Sequence, residues 1–220
     1  MSKQDTRTGC SRSKSFFRQR GFLTSRQAFV VLFLIFLAPG FVAWVMHQSG
    51  EQGWRPAGMV NQGSLVHPAR PLTMPADLVA GDRSLNVFLQ GLWTIVYIGD
   101  SDCDAVCNEN LYKMRQVRTA QNENMKRVQT LYLMQGERMS DSLAQLVQEE
   151  YPKLTVVPVS AAQAGVVAPS FLIEGTAMQQ AERVYFVDPL GNLMMYYEAD
   201  ADPSGMLKDL GKLLKYSKIG

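Results

Sequence analysis

The sequence predicts an α/β protein in which a mixed central sheet with flanking helices is preceded by one transmembrane helix. Three observations predict this class. A long uncharged run lies near the N-terminus, short apolar runs alternate with helix-patterned segments in the second half, and two apolar stretches near the C-terminus flank a turn. The 220 residues, 46% hydrophobic and 19% charged, suit one folded domain plus an appendage.

The N-terminal part carries the signals of a membrane anchor. Residues 28–46, AFVVLFLIFLAPGFVAWVM, contain no charge and are long enough, at roughly 1.5 Å per helical residue, to cross a membrane. We therefore predict a basic cytoplasmic tail over 1–26 and a transmembrane helix over 27–47. Because cations precede the run, we expect a single-pass protein of the inner (cytoplasmic) membrane with a periplasmic C-terminal domain. The cations of the tail are Lys3, Arg7, Arg12, Lys14, Arg18, Arg20 and Arg26.

Two other interpretations of this region explain less. A cleaved signal peptide has a shorter apolar core of roughly 7–15 residues and an A-x-A site, which does not follow here. A nucleic-acid role for the tail adds a partner where orientation of the anchor already accounts for the charges. We predict no binding to nucleic acid.

The remaining segments divide into an approach and a domain. Residues 48–84 are rich in Gly, Pro and polar groups and are predicted to be a linker and an extended approach segment. Residues 85–220 are predicted to form the domain. Apolar runs indicate strands and polar-apolar periods indicate helices, in the order strand, helix, strand, helix, short strand, hairpin, helix. The predicted strands are 91–100, 126–134, 153–159 and the two strands of the hairpin RVYFVDPLGNLMMYYE. Two helices are predicted to start at Asp104 and Ser140, and a third is predicted over 203–218.

This order has a known architecture. A βαβ start followed by a ββα finish is the arrangement of a thioredoxin-like domain, with helices on both faces of the sheet. The sequence contains no GxGxxG, GxxxxGK[ST], G-x-S-x-G or HExxH, so nucleotide binding, α/β-hydrolase chemistry and zinc proteolysis have no support.

The candidate site is the stretch GDSDCDAVCNEN, residues 99–110, between the first strand and the first helix. Spacing of four places Cys103 and Cys107 on one helical face, roughly 5–6 Å apart at Cβ. That separation permits a disulfide, or two thiolates that share a soft metal ion. The helix N-terminus stabilises a thiolate, whereas nearby acids oppose it. Those acids are Asp100, Asp102, Asp104 and Glu109.

The anchor, the stretch LWTIVYIGDSDCDAVCNENLYKM, and RVYFVDPLGNLMMYY followed by a final helix together resemble the Sco/SenC family of membrane-anchored copper proteins, over roughly residues 60–216. The resemblance implies a thioredoxin-like fold and service in assembling the copper site of cytochrome c oxidase. It also implies a metal site of two cysteines in C-x3-C and one distant histidine. Carried onto this chain, the two cysteines are Cys103 and Cys107.

The chain departs from the family pattern at this site. The family usually has Pro-Asp inside the motif and Pro after it, where this chain has Asp-Ala-Val and then Asn. The family histidine would lie near Gln180, and the chain's two histidines, His47 and His67, are far from that position in sequence. Met178 is close to the gap, and its thioether is a suitable soft ligand for Cu(I). Methionine also commonly fills protein cores.

Without the histidine, we predict thiol–disulfide exchange rather than stable copper storage. Cys103 attacks a partner disulfide and Cys107 resolves the mixed disulfide. The expected partner is a cytochrome c oxidase subunit or a copper chaperone. Two alternatives stay open: a Cu(I) carrier that uses Cys103, Cys107 and a soft third ligand, and a non-catalytic assembly scaffold whose cysteines form a static disulfide.

Overall fold

The structure is a computed structural model that describes residues 24–48, 61–173 and 182–219. The chain divides into two compact units, residues 1–58 and 59–220. In the first unit, helix α1 (Ser25–Gln48) exposes apolar side chains along its length, with Phe36 77% exposed. Counting only the residues that the structure describes, no helix is both long enough and apolar enough to cross a membrane. The predicted basic tail lies outside the described residues except for its last three positions.

The second unit contains the predicted domain. Its strands are β1 (Ser64–Pro71), β2 (Val79–Ala80), β3 (Arg83–Ser84), β4 (Trp93–Asp100), β5 (Val128–Gln135), β6 (Leu154–Val159), β7 (Val184–Val187) and β8 (Asn192–Tyr197). Its helices are α2 (Leu85–Phe88), α3 (Ala105–Thr119), α4 (Asp141–Glu150), α5 (Ala161–Phe171) and α6 (Pro203–Tyr216), with a 3₁₀ helix at Asn122–Arg127.

The main sheet has the strand order β1-β8-β7-β4-β5-β6. Strands β4, β5 and β6 are parallel, whereas β7, β8 and β1 add to β4 in antiparallel pairs. The predicted mixed α/β domain with a central sheet and flanking helices is confirmed, and so are its hairpin and its last helix.

Both faces of the sheet are covered, which explains why its central strands are largely apolar. Along β4, Ile95 faces a core layer shared with α3, α4 and α6, and Val96 faces a second layer shared with α2 and α5. Both side chains are buried. Successive residues of a strand point to opposite faces, so a strand between two helical layers has no polar side.

Residues 48–84 are predicted to be a linker and an extended approach segment, with the domain starting at residue 85. Residues 64–71 form β1 and pair with β8, Ser64 lying opposite Tyr196, so the folded unit begins well before residue 85. Leu72, Met74 and Leu78 are buried in the second core layer. The described part of the segment from residue 61 onward therefore belongs to the domain, as an edge strand and a cover over one face.

The beginning of β1 is held by a buried carboxylate of α6. Asp209, 1% exposed, accepts hydrogen bonds from the backbone N–H of Gln62 (2.6 Å) and Gly63 (3.0 Å) and from the hydroxyl of Tyr197 (3.0 Å). Burial and the Asp209 carboxylate raise the pKa of Tyr197, so its hydroxyl stays a donor. A Cβ at Gly63 would lie 2.5 Å from the Tyr197 ring, so this position requires glycine. We name this arrangement the Asp209 clasp.

Candidate functional site

The cysteine pair lies where β4 passes into α3. Asp104 is the N-cap of α3, and its carboxylate accepts a hydrogen bond from the backbone N–H of Cys107 at 2.8 Å. An aspartate at this position satisfies one of the free N–H groups at the helix start. Cys103 therefore precedes the helix, and the expectation that both cysteines lie on one helical face is wrong. The close approach of the two sulfur atoms is nevertheless achieved.

Cys103 and Cys107 form a disulfide, with their Cα atoms 5.2 Å apart. The two sulfur-bearing residues differ in their surroundings. Cys107 is 3% exposed and packs in the core layer under α3, whereas Cys103 is only partly buried and lies at the edge of that layer. A reagent or partner that approaches from solvent therefore meets Cys103 first.

Tyr132 of β5 contacts the buried sulfur. Its hydroxyl oxygen lies 3.6 Å from Cys107 Sγ and donates its proton to the backbone carbonyl of Asp100 at 2.6 Å. Burial raises the pKa of Tyr132, so the hydroxyl remains protonated. Because its proton is engaged with Asp100, the Tyr132 oxygen offers a lone pair towards Cys107. A reduced Cys107 thiol can donate to that lone pair, which a disulfide sulfur cannot do.

The parallel register of β4 and β5 builds this contact. Tyr97 lies opposite Tyr132, and the two rings stack with centroids 5.6 Å apart. Burial raises the pKa of Tyr97 to about 12, although a hydrogen bond with the Asn110 side chain acts to lower it. At Gly99 a Cβ would lie 2.9 Å from the Tyr132 hydroxyl, so a larger residue would displace it. The sequence prediction did not include either tyrosine, although each is the fifth residue of its strand.

The acids around the disulfide are solvated rather than gathered into a charged pocket. Asp100, Asp102, Asp104 and Glu109 are all exposed. Asp104 caps α3, and Glu109 forms an ion pair with Lys113 at 2.8 Å. Within the described ranges, no group of three or more His, Cys, Asp and Glu residues is placed to hold a metal ion.

The candidate third ligands are not brought to the cysteines in the described part of the chain. His67 is in β1, and β8 and β7 lie between that strand and β4. Its neighbours include Leu172 and Tyr196, on the far part of the sheet from the disulfide. Met178 and the position of the family histidine, Gln180, lie outside the described residues, as does the side chain of His47. Two thiolates suit a soft ion such as Cu(I), and the described residues place no third ligand beside them.

Solved structures with a similar fold include several Sco proteins. Copper-bound ScoI of Arabidopsis thaliana is 22% identical with a TM-score of 0.50, over 59% of this chain and 88% of that one. Apo Sco1 of Thermus thermophilus is 16% identical (TM-score 0.54, 71% and 99%), and copper-bound yeast Sco1 is 16% identical (TM-score 0.53, 66% and 94%). The predicted Sco/SenC resemblance is confirmed, and at these identities it establishes the fold.

No curated protein matches the chain by sequence. The model of one protein family does match it. The profile of the family described as "transmembrane-like, thioredoxin-like, C-terminal domain" matches residues 93–217, from β4 to just beyond α6 and more than half of the chain. The chain belongs to this transmembrane-like, thioredoxin-like, C-terminal domain family.

Proposed function

We propose that the chain exchanges disulfides with a protein partner through Cys103 and Cys107, as an accessory factor in assembling the copper site of cytochrome c oxidase. The observation that carries the proposal is the asymmetry of the disulfide. Cys103 is partly exposed before α3, and Cys107 is buried with its sulfur against the Tyr132 hydroxyl. This is the division that a nucleophile and a resolving thiol need.

The exchange conserves atoms and electrons. In the reducing direction, the Cys103 thiolate attacks one sulfur of the partner disulfide, and the other partner sulfur leaves as a thiolate. Cys107, deprotonated in turn, attacks Cys103 Sγ, which closes the Cys103–Cys107 disulfide and releases the second partner thiol. Two electrons pass to the partner, and an external dithiol must reduce the pair for another turnover. The reverse sequence oxidises a partner dithiol.

The reduction potential of the pair tests the proposal against the static scaffold. For an exchange protein we expect a value above about −300 mV, because structural disulfides are typically harder to reduce than that. The measurement equilibrates the full chain in redox buffers and quantifies free thiols at Cys103 and Cys107 by alkylation and mass spectrometry. A value well below this limit would assign the cysteines to the static bridge of the scaffold alternative.

Replacing Tyr132 by Phe should make the pair harder to reduce. The variant removes the hydrogen-bond acceptor of the reduced Cys107 thiol. The oxidised state loses no such bond, because a disulfide sulfur has no proton to donate. One neutral hydrogen bond contributes about 0.5–1.5 kcal/mol, so the potential should fall by roughly 10–30 mV. The loss of the bond to Asp100 affects both redox states and cancels.

Tyr97→Phe is the matched control for this measurement. It removes a neighbouring buried hydroxyl in the same stack, whereas the hydroxyl within hydrogen-bond distance of Cys107 Sγ is that of Tyr132. The potential of this variant should stay at the wild-type value. Equal shifts in Tyr132→Phe and Tyr97→Phe, or a rise in Tyr132→Phe, would disprove the role given to the Tyr132 hydroxyl.

Copper handling is the second candidate function. It is favoured by the cysteine pair and by the Sco structures of similar fold that carry copper. Under this alternative the chain carries Cu(I) on Cys103, Cys107 and a soft third ligand such as Met178. Anaerobic titration of the reduced full chain against a Cu(I) chelator should then show one tightly held ion that the Cys103→Ser/Cys107→Ser chain does not hold. Failure to compete with the chelator would remove the carrier.

Attachment to the inner (cytoplasmic) membrane is part of the proposal. Its support is the uncharged run at 28–46 and the basic residues before it, which favour a cytoplasmic N-terminus and a periplasmic domain. In spheroplasts, a protease added outside should then degrade the domain and leave the N-terminal tail intact. Protection of the domain would reject this orientation.

A further inference from the structure

A cavity lies at the opposite end of α3 from the disulfide. It has a volume of about 220 Å³ and is bounded by the last turns of α3, the beginnings of β5 and β6, and the turn after α4. Its floor is apolar because Leu111 and Met114 line it, and both are buried. The ring of Tyr151 forms part of its wall.

The cations of this cavity outnumber its acids. Arg115, Arg118 and Lys153 line it with a single carboxylate, Glu150. Arg115 is already paired, since its Nη1 donates to the carboxylate and the backbone carbonyl of Glu150, each at 2.8 Å. The positive charge that remains belongs to Arg118 and Lys153.

Arg118 is the distinctive group. Its side chain is half-buried, and its Nε donates to the carbonyl of Val128 at 2.8 Å, which fixes the guanidinium against β5. In the described part of the chain its two Nη groups have no partner. Burial lowers the pKa of Arg118, so the charge is partly desolvated without a counter-ion. Lys153, exposed at the rim, likewise has no side-chain partner among the described residues.

We propose that this cavity binds a small organic carboxylate whose apolar body rests on Leu111 and Met114 and whose carboxylate pairs with Arg118. A fixed guanidinium with two free Nη groups matches the two oxygens of a carboxylate. The volume is below that of typical sites for drug-sized ligands, so the ligand is small. A free carboxylic acid and the C-terminal carboxylate of a peptide ending in an apolar residue share this chemistry. The site is independent of the proposed exchange reaction.

The test uses the full chain with ¹³C-labelled methionine methyl groups, because Met114 on the cavity floor reports occupancy directly. The probes are 3-phenylpropanoate, its neutral analogue 3-phenylpropanamide, N-acetylglycyl-phenylalanine and inorganic phosphate. We expect the acid to shift the Met114 resonance saturably and the amide to bind at least roughly tenfold more weakly, since a charged hydrogen-bonded pair is lost. Tighter binding by the peptide than by the free acid would identify a peptide C-terminus as the source.

Variants separate the site from general charge effects. Arg118→Gln should weaken binding of the acid roughly tenfold to hundredfold, whereas Arg138→Gln, which removes the same charge from an exposed position, should leave it unchanged. Lys153→Gln should cause a smaller loss without touching the bond to Val128, which covers the case in which Arg118→Gln misfolds. The proposal is overturned by the absence of a saturable Met114 shift, by equal binding of the amide, or by phosphate binding as tightly as the acid.

Discussion

A chain with Cys103 replaced by Ser should lose disulfide exchange completely, whereas a chain with Cys107 replaced by Ser should accumulate as a mixed disulfide. Cys103 is the more exposed residue of the pair, and Cys107 is 3% exposed, so we expect no second thiol in the pair to take over the attack. Without Cys107 the attack still occurs, but the resolving step is missing and the intermediate persists.

The measurement incubates the reduced chain with a disulfide-containing peptide and follows products by non-reducing electrophoresis and mass spectrometry. All variants should be made in a Cys10→Ser background, because Cys10 is the remaining cysteine of the chain and would give unrelated adducts. The Cys10→Ser chain itself is the control and should match wild type. Exchange that survives Cys103→Ser, or an adduct that forms only through Cys107, would reverse the assigned roles.

Asp209→Ala should lower the free energy of unfolding more than any of the other substitutions named above. The substitution leaves the N–H groups of Gln62 and Gly63 and the hydroxyl of Tyr197 without their acceptor. A buried donor left without its acceptor costs about 1–3 kcal/mol, so the loss of three such bonds should total about 3–5 kcal/mol, a large fraction of the stability of most domains. Asp209→Asn keeps one oxygen acceptor, so its free energy of unfolding should lie between those of wild type and Asp209→Ala, with a loss of roughly 1–3 kcal/mol.

Urea denaturation of the full chain, followed by Trp fluorescence, measures these losses as changes in the free energy of unfolding. Trp93 is buried in β4 and reports on the core. Asp200→Ala removes an exposed carboxylate in the loop before α6 and should change stability by less than about 0.5 kcal/mol. A loss below about 1 kcal/mol in Asp209→Ala would mean that water replaces the carboxylate and that the clasp contributes little.

The parts of the fold that could be predicted are those whose local pattern and tertiary environment agree. β4 is apolar on both faces because helices cover both faces. β1 could not be predicted in this way, since it is an edge strand with mostly exposed side chains and prolines at 68 and 71, and only pairing with β8 makes it a strand. Helix α5 contains Gly165 and Pro169, which obscure its period, and a capping box between Ser160 and Gln163 begins it.

The candidate site also has one part that the sequence predicts and another that it does not. Spacing alone predicted that Cys103 and Cys107 could meet, because their separation along the chain is local. The contact of Cys107 with Tyr132 depends on the register between β4 and β5, which joins residues far apart in sequence. The cavity beside Arg118 likewise requires α3, α4 and two strands to be in place. No pattern within one segment encodes either feature.

The Asp209 clasp and the pairing of β1 with β8 also have a consequence for translation. The ribosome makes residues 62–71 long before their partners in β8 and α6, which lie far along the chain. Such distant pairings slow folding because a long stretch of chain must be closed first. Until β1 docks, β8 presents an unpaired edge, the usual route by which sheets of two nascent chains join. Docking of β1, which itself carries Pro68 and Pro71, thus covers this edge of the sheet in newly made copies.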